Sequence, residues 1–182
     1  MNRLSLIPFF ALATALSSAS PYVIDAYLNS SSGGSAVSTI SLASGQQFIV
    51  SVPTSDLWSA GGLPRWSNAD GLVGDLYATG SDESGLYAGA LIGQSFGTYT
   101  QDGFTAPYGA LVGRIGGNYM LLGTSFSGVA PSSGTLELMY WDSNNGDNSE
   151  HVTANVQAVP EPASLAALGL GALGILKRRR RA

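Results

Sequence analysis

The chain has 182 residues, 45% hydrophobic and 11% charged, with eight basic residues against twelve acidic ones. The absence of cysteine and the presence of a single histidine, His151, exclude disulfides, thiol chemistry and a His-rich zinc centre within the chain. Only Arg65 and Arg114 of the basic residues lie between the two ends, against eleven carboxylates. The nine excess negative charges disfavour nucleic acid and anionic lipid and are compatible with a hard cation such as calcium.

In chain order, Arg3 precedes an apolar run from Leu4 to Leu16 and then small residues, the layout of a secretory signal peptide over residues 1–19. Signal peptidase is expected to cut after Ala19, so that the mature chain begins at Ser20. The run has 13 residues and contains Pro8, well short of the ~20 that cross a bilayer. The stretches Tyr22 to Leu28, Val37 to Leu42 and Gln47 to Val52 are rich in β-branched and aromatic residues between Ser/Gly clusters, and read as strands. From Trp66 to Phe104 the regularity fails. Tyr77, Tyr87 and Tyr99 stand there among Gly, Ser and Asp, in an excursion whose tyrosines are expected to cover an edge of the core or to offer a platform for sugar rings.

Strand patterns return at Ala110 to Ile115, Tyr119 to Gly123, Thr124 to Val129, Thr135 to Trp141 and Val152 to Gln157, with Gly116-Gly117-Asn118 as a tight hairpin turn. The period of two in Thr135 to Trp141 puts Leu136, Leu138 and Tyr140 on the expected core face and Glu137, Met139 and Trp141 on the other. About eight strands without helical periodicity predict an all-β fold, an antiparallel β-sandwich or jelly roll, over residues 20–157. The loop Asp142-Ser143-Asn144-Asn145-Gly146-Asp147-Asn148-Ser149 offers the oxygen donors that calcium takes, although the same residues also fill ordinary hairpin loops.

Residues 158–182 end the chain with Val159-Pro160-Glu161-Pro162, an uncharged stretch at 163–176, and Lys177, Arg178, Arg179, Arg180 and Arg181 within the basic tail 177–182. As a transmembrane helix the 14 uncharged residues would reach about 21 Å, less than the ~30 Å of hydrocarbon, so the helix is a short anchor whose arginines stay on the cytoplasmic side.

This order of tripeptide, apolar run and arginine cluster resembles the PEP-CTERM sorting signal of bacterial exported proteins. The resemblance implies recognition by an exosortase, a membrane transpeptidase that cuts near Pro160 to Pro162 and releases the body or transfers it to the cell surface. A membrane-tethered precursor is thus expected, followed by a place at the surface or in the extracellular matrix.

The body carries a second resemblance. The residues from Ala106 to Gly116, Phe126-Ser127-Gly128-Val129-Ala130-Pro131, Leu136 to Asp142 and Asp147-Asn148-Ser149, with Trp58 and Trp66 upstream, resemble the calcium-dependent galactose-binding bacterial lectins of the PA-IL type. That resemblance implies one calcium ion held by the side chains of Asp142, Asp147 and Asn148, by the carbonyl of Asn144, and by a distant carbonyl at Gly61 or Ala60. The metal would chelate two adjacent sugar hydroxyls. The loop after Asp142 is shorter than in the lectins and their sugar-gripping histidine and glutamine have no counterpart, so galactose specificity does not carry over.

Two functions follow as expectations: a surface module binding an extracellular polysaccharide or other glycan through calcium, or a structural matrix or biofilm protein without sugar binding. An enzyme is not expected. Asp82 and Glu83 are paired carboxylates, but neighbours on a strand point to opposite faces and no nucleophile motif accompanies them.

Overall fold

A computed structural model of the protein describes residues 18–160. The predicted apolar run 4–16, Glu161, Pro162, the segment 163–176 and the basic tail lie outside the described residues, whereas Val159 and Pro160 follow the last strand. Among the described residues there are fourteen strands and no helix long and apolar enough to cross a membrane. The chain runs β1 (Ser20–Asp25), β2 (Val37–Leu42), β3 (Gln47–Ser51), β4 (Trp58–Ser59), β5 (Trp66–Ser67), β6 (Leu76–Tyr77) and β7 (Leu91–Gly93). It continues through β8 (Thr98–Gln101), β9 (Phe104–Pro107), β10 (Leu111–Ile115), β11 (Asn118–Leu121), β12 (Ser125–Val129), β13 (Gly134–Tyr140) and β14 (His151–Ala158).

Eight of these form two four-stranded antiparallel sheets, in the orders β1-β14-β3-β12 and β11-β10-β13-β2. The alternation of apolar residues decides which faces meet. Ile24, Phe48, Val50, Val152, Ala154 and Val156 come from the first sheet, and Leu111, Ile115, Leu136, Leu138 and Tyr140 from the second; together they form one buried cluster between the layers. The predicted sandwich is therefore the fold, with Leu136, Leu138 and Tyr140 facing the core as expected. Every residue of that cluster belongs to the compact unit Ser18–Val159, so this segment contains what it needs to fold by itself. Gly116 and Gly117 close the β10–β11 hairpin with φ of +55° and +85°, the two left-handed residues of a type I′ turn.

The strand edges differ from expectation at both ends. β1 stops at Asp25 because the Asp25 carboxylate accepts the N–H groups of Tyr27 and Leu28, each at 2.8 Å, and turns the chain out of the sheet. β14 is one residue longer at each end than Val152 to Gln157, and the Val159 N–H still donates to the Gln47 carbonyl at 2.8 Å.

The outer face of β13 is buried at its end, at Met139, whereas Thr135 is exposed and Glu137 half-buried. Met139 and Trp141 pack with Val112 and Ala106 under the β8–β9 ribbon, and the Trp141 indole N–H donates to the Tyr99 carbonyl at 2.9 Å. The excursion and its flanks thus form three short pieces of sheet, β4–β5, β6–β7 and β8–β9, the second centred on Leu57, Ala78 and Ile92. Of its tyrosines, Tyr99 covers the core as expected, but Tyr77 and Tyr87 are 55% and 78% exposed and cover no edge.

Candidate functional site

Three segments meet beyond the end of β13, and the sequence dictates each meeting. The β4 residue Ser59 exchanges two backbone hydrogen bonds with Ser149, both at 3.0 Å, which ties the 58–61 segment to the loop that starts at Asp142. From the other side, the Ser31 hydroxyl donates to the Asp142 carbonyl at 2.9 Å and accepts its N–H at 3.1 Å. The Asn145 amide donates to the Tyr27 carbonyl and that of Asn148 to Ala26, at 3.0 and 3.1 Å. Within the loop, the Asn144 side chain accepts the Gly146 N–H at 3.1 Å.

Of the predicted calcium residues, Asp142, Asn144, Asp147 and Ala60 line one cavity and Gly61 lies against Asp147, whereas Asn148 is not in the cavity lining. Asp142 is 5% exposed and is the one buried charged side chain among the described residues; Asn148 is 8% exposed. Burial pushes the Asp142 carboxyl above its ordinary value, against the N–H groups of Asn144 and Ser143 and the Asn148 side chain, which hold it down, while the charge of Asp147 adds to the rise. Burial and then the charges of Asp142 and Asp147 raise the Tyr140 phenol well above its ordinary value. Two buried polar atoms in this region have no hydrogen-bond partner, Asn148 Oδ1 and the Tyr140 hydroxyl. An unpartnered buried oxygen costs about 1–3 kcal/mol. A cation bound between it and the buried carboxylate would relieve both.

Asp147 Oδ2 lies 3.6 Å from Arg65 Nη1. Gly61 has φ +115° and sits so close to the Asp147 carboxylate that a Cβ there would collide with Oδ2. The Gly61 carbonyl accepts the Ser59 hydroxyl at 2.7 Å and retains a second lone pair. Gly61→Ala is thus expected to cost about 1–3 kcal/mol of stability through backbone strain and to abolish any metal-dependent rise in melting temperature, read by thermal melts with and without calcium.

Asp142, Asn144 and Asp147 line a cavity of about 290 Å³ whose other walls include Ala60, Arg65, Phe96, Tyr108 and Ser143. The Phe96 and Tyr108 rings stand edge to face at 5.2 Å, and the Arg65 guanidinium carbon lies 4.4 Å from the Phe96 ring centroid. Sequence reasoning missed Phe96. It falls in the irregular excursion, and only the fold brings it beside a loop nearly fifty positions later. Arg65 lies beside the Asp147 carboxylate, and Arg114 is paired more closely, its Nε donating to Glu137 at 2.8 Å.

Most other carboxylates are engaged in structure. Asp70 accepts the Thr124 N–H at 2.7 Å and Asp56 that of Thr153 at 2.7 Å. Asp82 accepts from the Thr79 N–H and from the Ser84 hydroxyl, which, led by Ser84, hold its carboxyl down at about 2. A carboxyl ionised down to that pH cannot serve as a general acid, and Glu83 beside it has no matched partner in that role. These bonds strengthen the folded state at pH values above the ordinary 3.8 and are lost only as pH falls through about 2. Asp82→Asn is accordingly expected to change the melting temperature by less at pH 2 than at pH 7.

A family model described as the PEP-CTERM protein-sorting motif matches residues 158–181. No curated protein matches the chain. Among solved structures it is similar to the EclA N-terminal domain, described as a PllA-like lectin, at 16% identity and a TM-score of 0.47, covering 76% of this chain and 95% of that one. The match begins at Ala158, the last residue of β14. The chain carries the PEP-CTERM sorting motif, the mark of an exported protein sorted by exosortase.

Proposed function

We propose that this protein is a non-catalytic binding module, delivered to the cell surface or extracellular matrix, that holds carbohydrate through a calcium ion. The observation that carries the reading is the buried carboxylate of Asp142 on a cavity that Asp147 also lines, with the unpartnered buried Oδ1 of Asn148 in the same loop. Oxygen donors of this kind suit a hard cation. Asp142, Asp147 and Asn148 would hold it with side-chain oxygens, helped by the carbonyls of Asn144 and of Gly61 or Ala60. Calcium, when bound, supplies open coordination positions for two adjacent sugar hydroxyls. Phe96 and Tyr108 offer the apolar wall on which a sugar ring can lie.

The test is a glycan array probed with residues 18–159 in calcium and in EDTA, beside Asp142→Ala. The reading expects glycan signals that need both calcium and Asp142. A calcium-dependent rise in melting temperature with no bound glycan would favour a structural matrix protein in which the loop only stiffens the sandwich. For sorting, deletion of residues 158–182 is expected to release the body into the medium, read by immunoblot of cell and medium fractions. Retention of the truncated chain at the surface would contradict a sorting role for the tail.

A further inference from the structure

We infer that the sugar taken by this site is acidic, a uronate whose carboxylate is gripped by Arg65; the inference rests on the calcium reading above. Arg65 is one of two arginines among the described residues, and the two are placed differently. Arg114 is held by Glu137 at 2.8 Å and by the Tyr119 hydroxyl at 3.3 Å, on the outer face of the second sheet. The Arg65 side chain makes no hydrogen bond to any described residue. Its nearest carboxylate oxygen, on Asp147, is 3.6 Å away, beyond hydrogen-bond length, and the arginine side chain is 39% exposed. Its flat face rests over Phe96, which fixes the plane of the guanidinium and leaves the edge that carries the N–H groups for another partner. Arg65 lines the same cavity as Asp142 and Asp147.

Charge decides when such a partner is welcome. Without a metal, the cavity lining carries two carboxylates, Asp142 and Asp147, against one guanidinium, and the site repels anions. With a divalent cation held by Asp142 and Asp147, the sign reverses and Arg65 loses its one nearby carboxylate to the metal. A planar carboxylate on the ring lying against Phe96 then matches the guanidinium fork in a charge-assisted, two-point contact. A neutral hexose fills the same volume but leaves Arg65 unmatched.

The experiment titrates residues 18–159 with the methyl glycosides of galacturonic, glucuronic and mannuronic acid, each beside its methyl ester, which keeps the ring and removes the charge. Titrations are run in calcium and in EDTA with wild type, Arg65→Ala and Arg65→Gln. In calcium, at least one acid is expected to bind the wild type on the order of tenfold more tightly than its ester. Both variants should lose that preference while keeping the calcium-dependent rise in melting temperature, which reports that fold and metal site are intact. The inference is overturned if no acid outbinds its ester, or if the preference survives in Arg65→Ala. A wild type whose melting temperature ignores calcium sinks the metal reading and this inference with it, whereas a calcium response without an acid preference sinks this inference alone.

Discussion

Trp58→Ala is expected to lower the melting temperature of residues 18–159 by about 10–20 °C, the consequence of losing about 3–5 kcal/mol. Trp58 is fully buried in the main core, with its ring edge-on to Tyr140 at 4.6 Å. Its indole N–H donates to the Gly109 carbonyl at 2.9 Å and to that of Asn68 at 3.2 Å. Alanine leaves both a cavity and a buried carbonyl short of its donor, and the two costs add. The damage should also reach the cation site, because Trp58 precedes Ser59, whose backbone holds Ser149, and lies three residues before Gly61. Trp66→Ala serves as the comparison. Trp66 is half-buried against the small Leu57–Ile92 cluster, so its loss should cost markedly less and leave the calcium response in place. Calorimetric melts of the two variants in calcium and in EDTA check both expectations.

Asp142→Asn is expected to change sign with calcium. In EDTA the substitution removes an ionised carboxylate from a buried position, and the new amide can donate towards the unpartnered Asn148 Oδ1 while its oxygen still accepts the Asn144 N–H. The melting temperature should hold or rise by a few degrees, worth about 1 kcal/mol. In calcium the wild type gains about 2.7 kcal/mol at a hundred times the dissociation constant, and the variant forgoes most of it. The pH dependence has a defined direction. Because burial raises the Asp142 pKa above 3.8, the metal-free folded chain takes up this proton at a higher pH than the unfolded chain does. Stability from this group is therefore fully present below 3.8 and lost as pH rises through the raised value. Asparagine abolishes that slope, and calcium reverses it by favouring the ionised form. Melts from pH 3 to 7 in EDTA, wild type against variant, read the difference.

The sandwich was legible because its strands obey the two-residue period without compensation from outside. Val37 to Leu42 is β2 as read from the sequence, and Leu136, Leu138 and Tyr140 face the core. Strand ends were less legible. They depend on single side chains such as the Asp25 carboxylate, whose cap on Tyr27 and Leu28 ends β1 three residues early. The burial of Trp141 could not be read from its own strand, because the cover comes from the β8–β9 ribbon, a non-local pairing with no strong pattern. The site divides in the same way. Asp142, Asp147 and Asn148 lie in one loop whose composition announces oxygen donors, while Arg65 and Phe96 come from distant segments that only the fold brings to the cavity. The sorting motif needs no fold to be read, since its signal is a linear order of residues.

The central claim is that Asp142, Asp147 and Asn148 form a calcium site, and the most direct measurement is the melting temperature of residues 18–159 in calcium and in EDTA, with an Asp142→Ala, Asp147→Ala double variant alongside. The account predicts a rise of several degrees in calcium for the wild type and none for the variant. Equal melting temperatures for the wild type in both buffers, or an equal rise in the double variant, would contradict it.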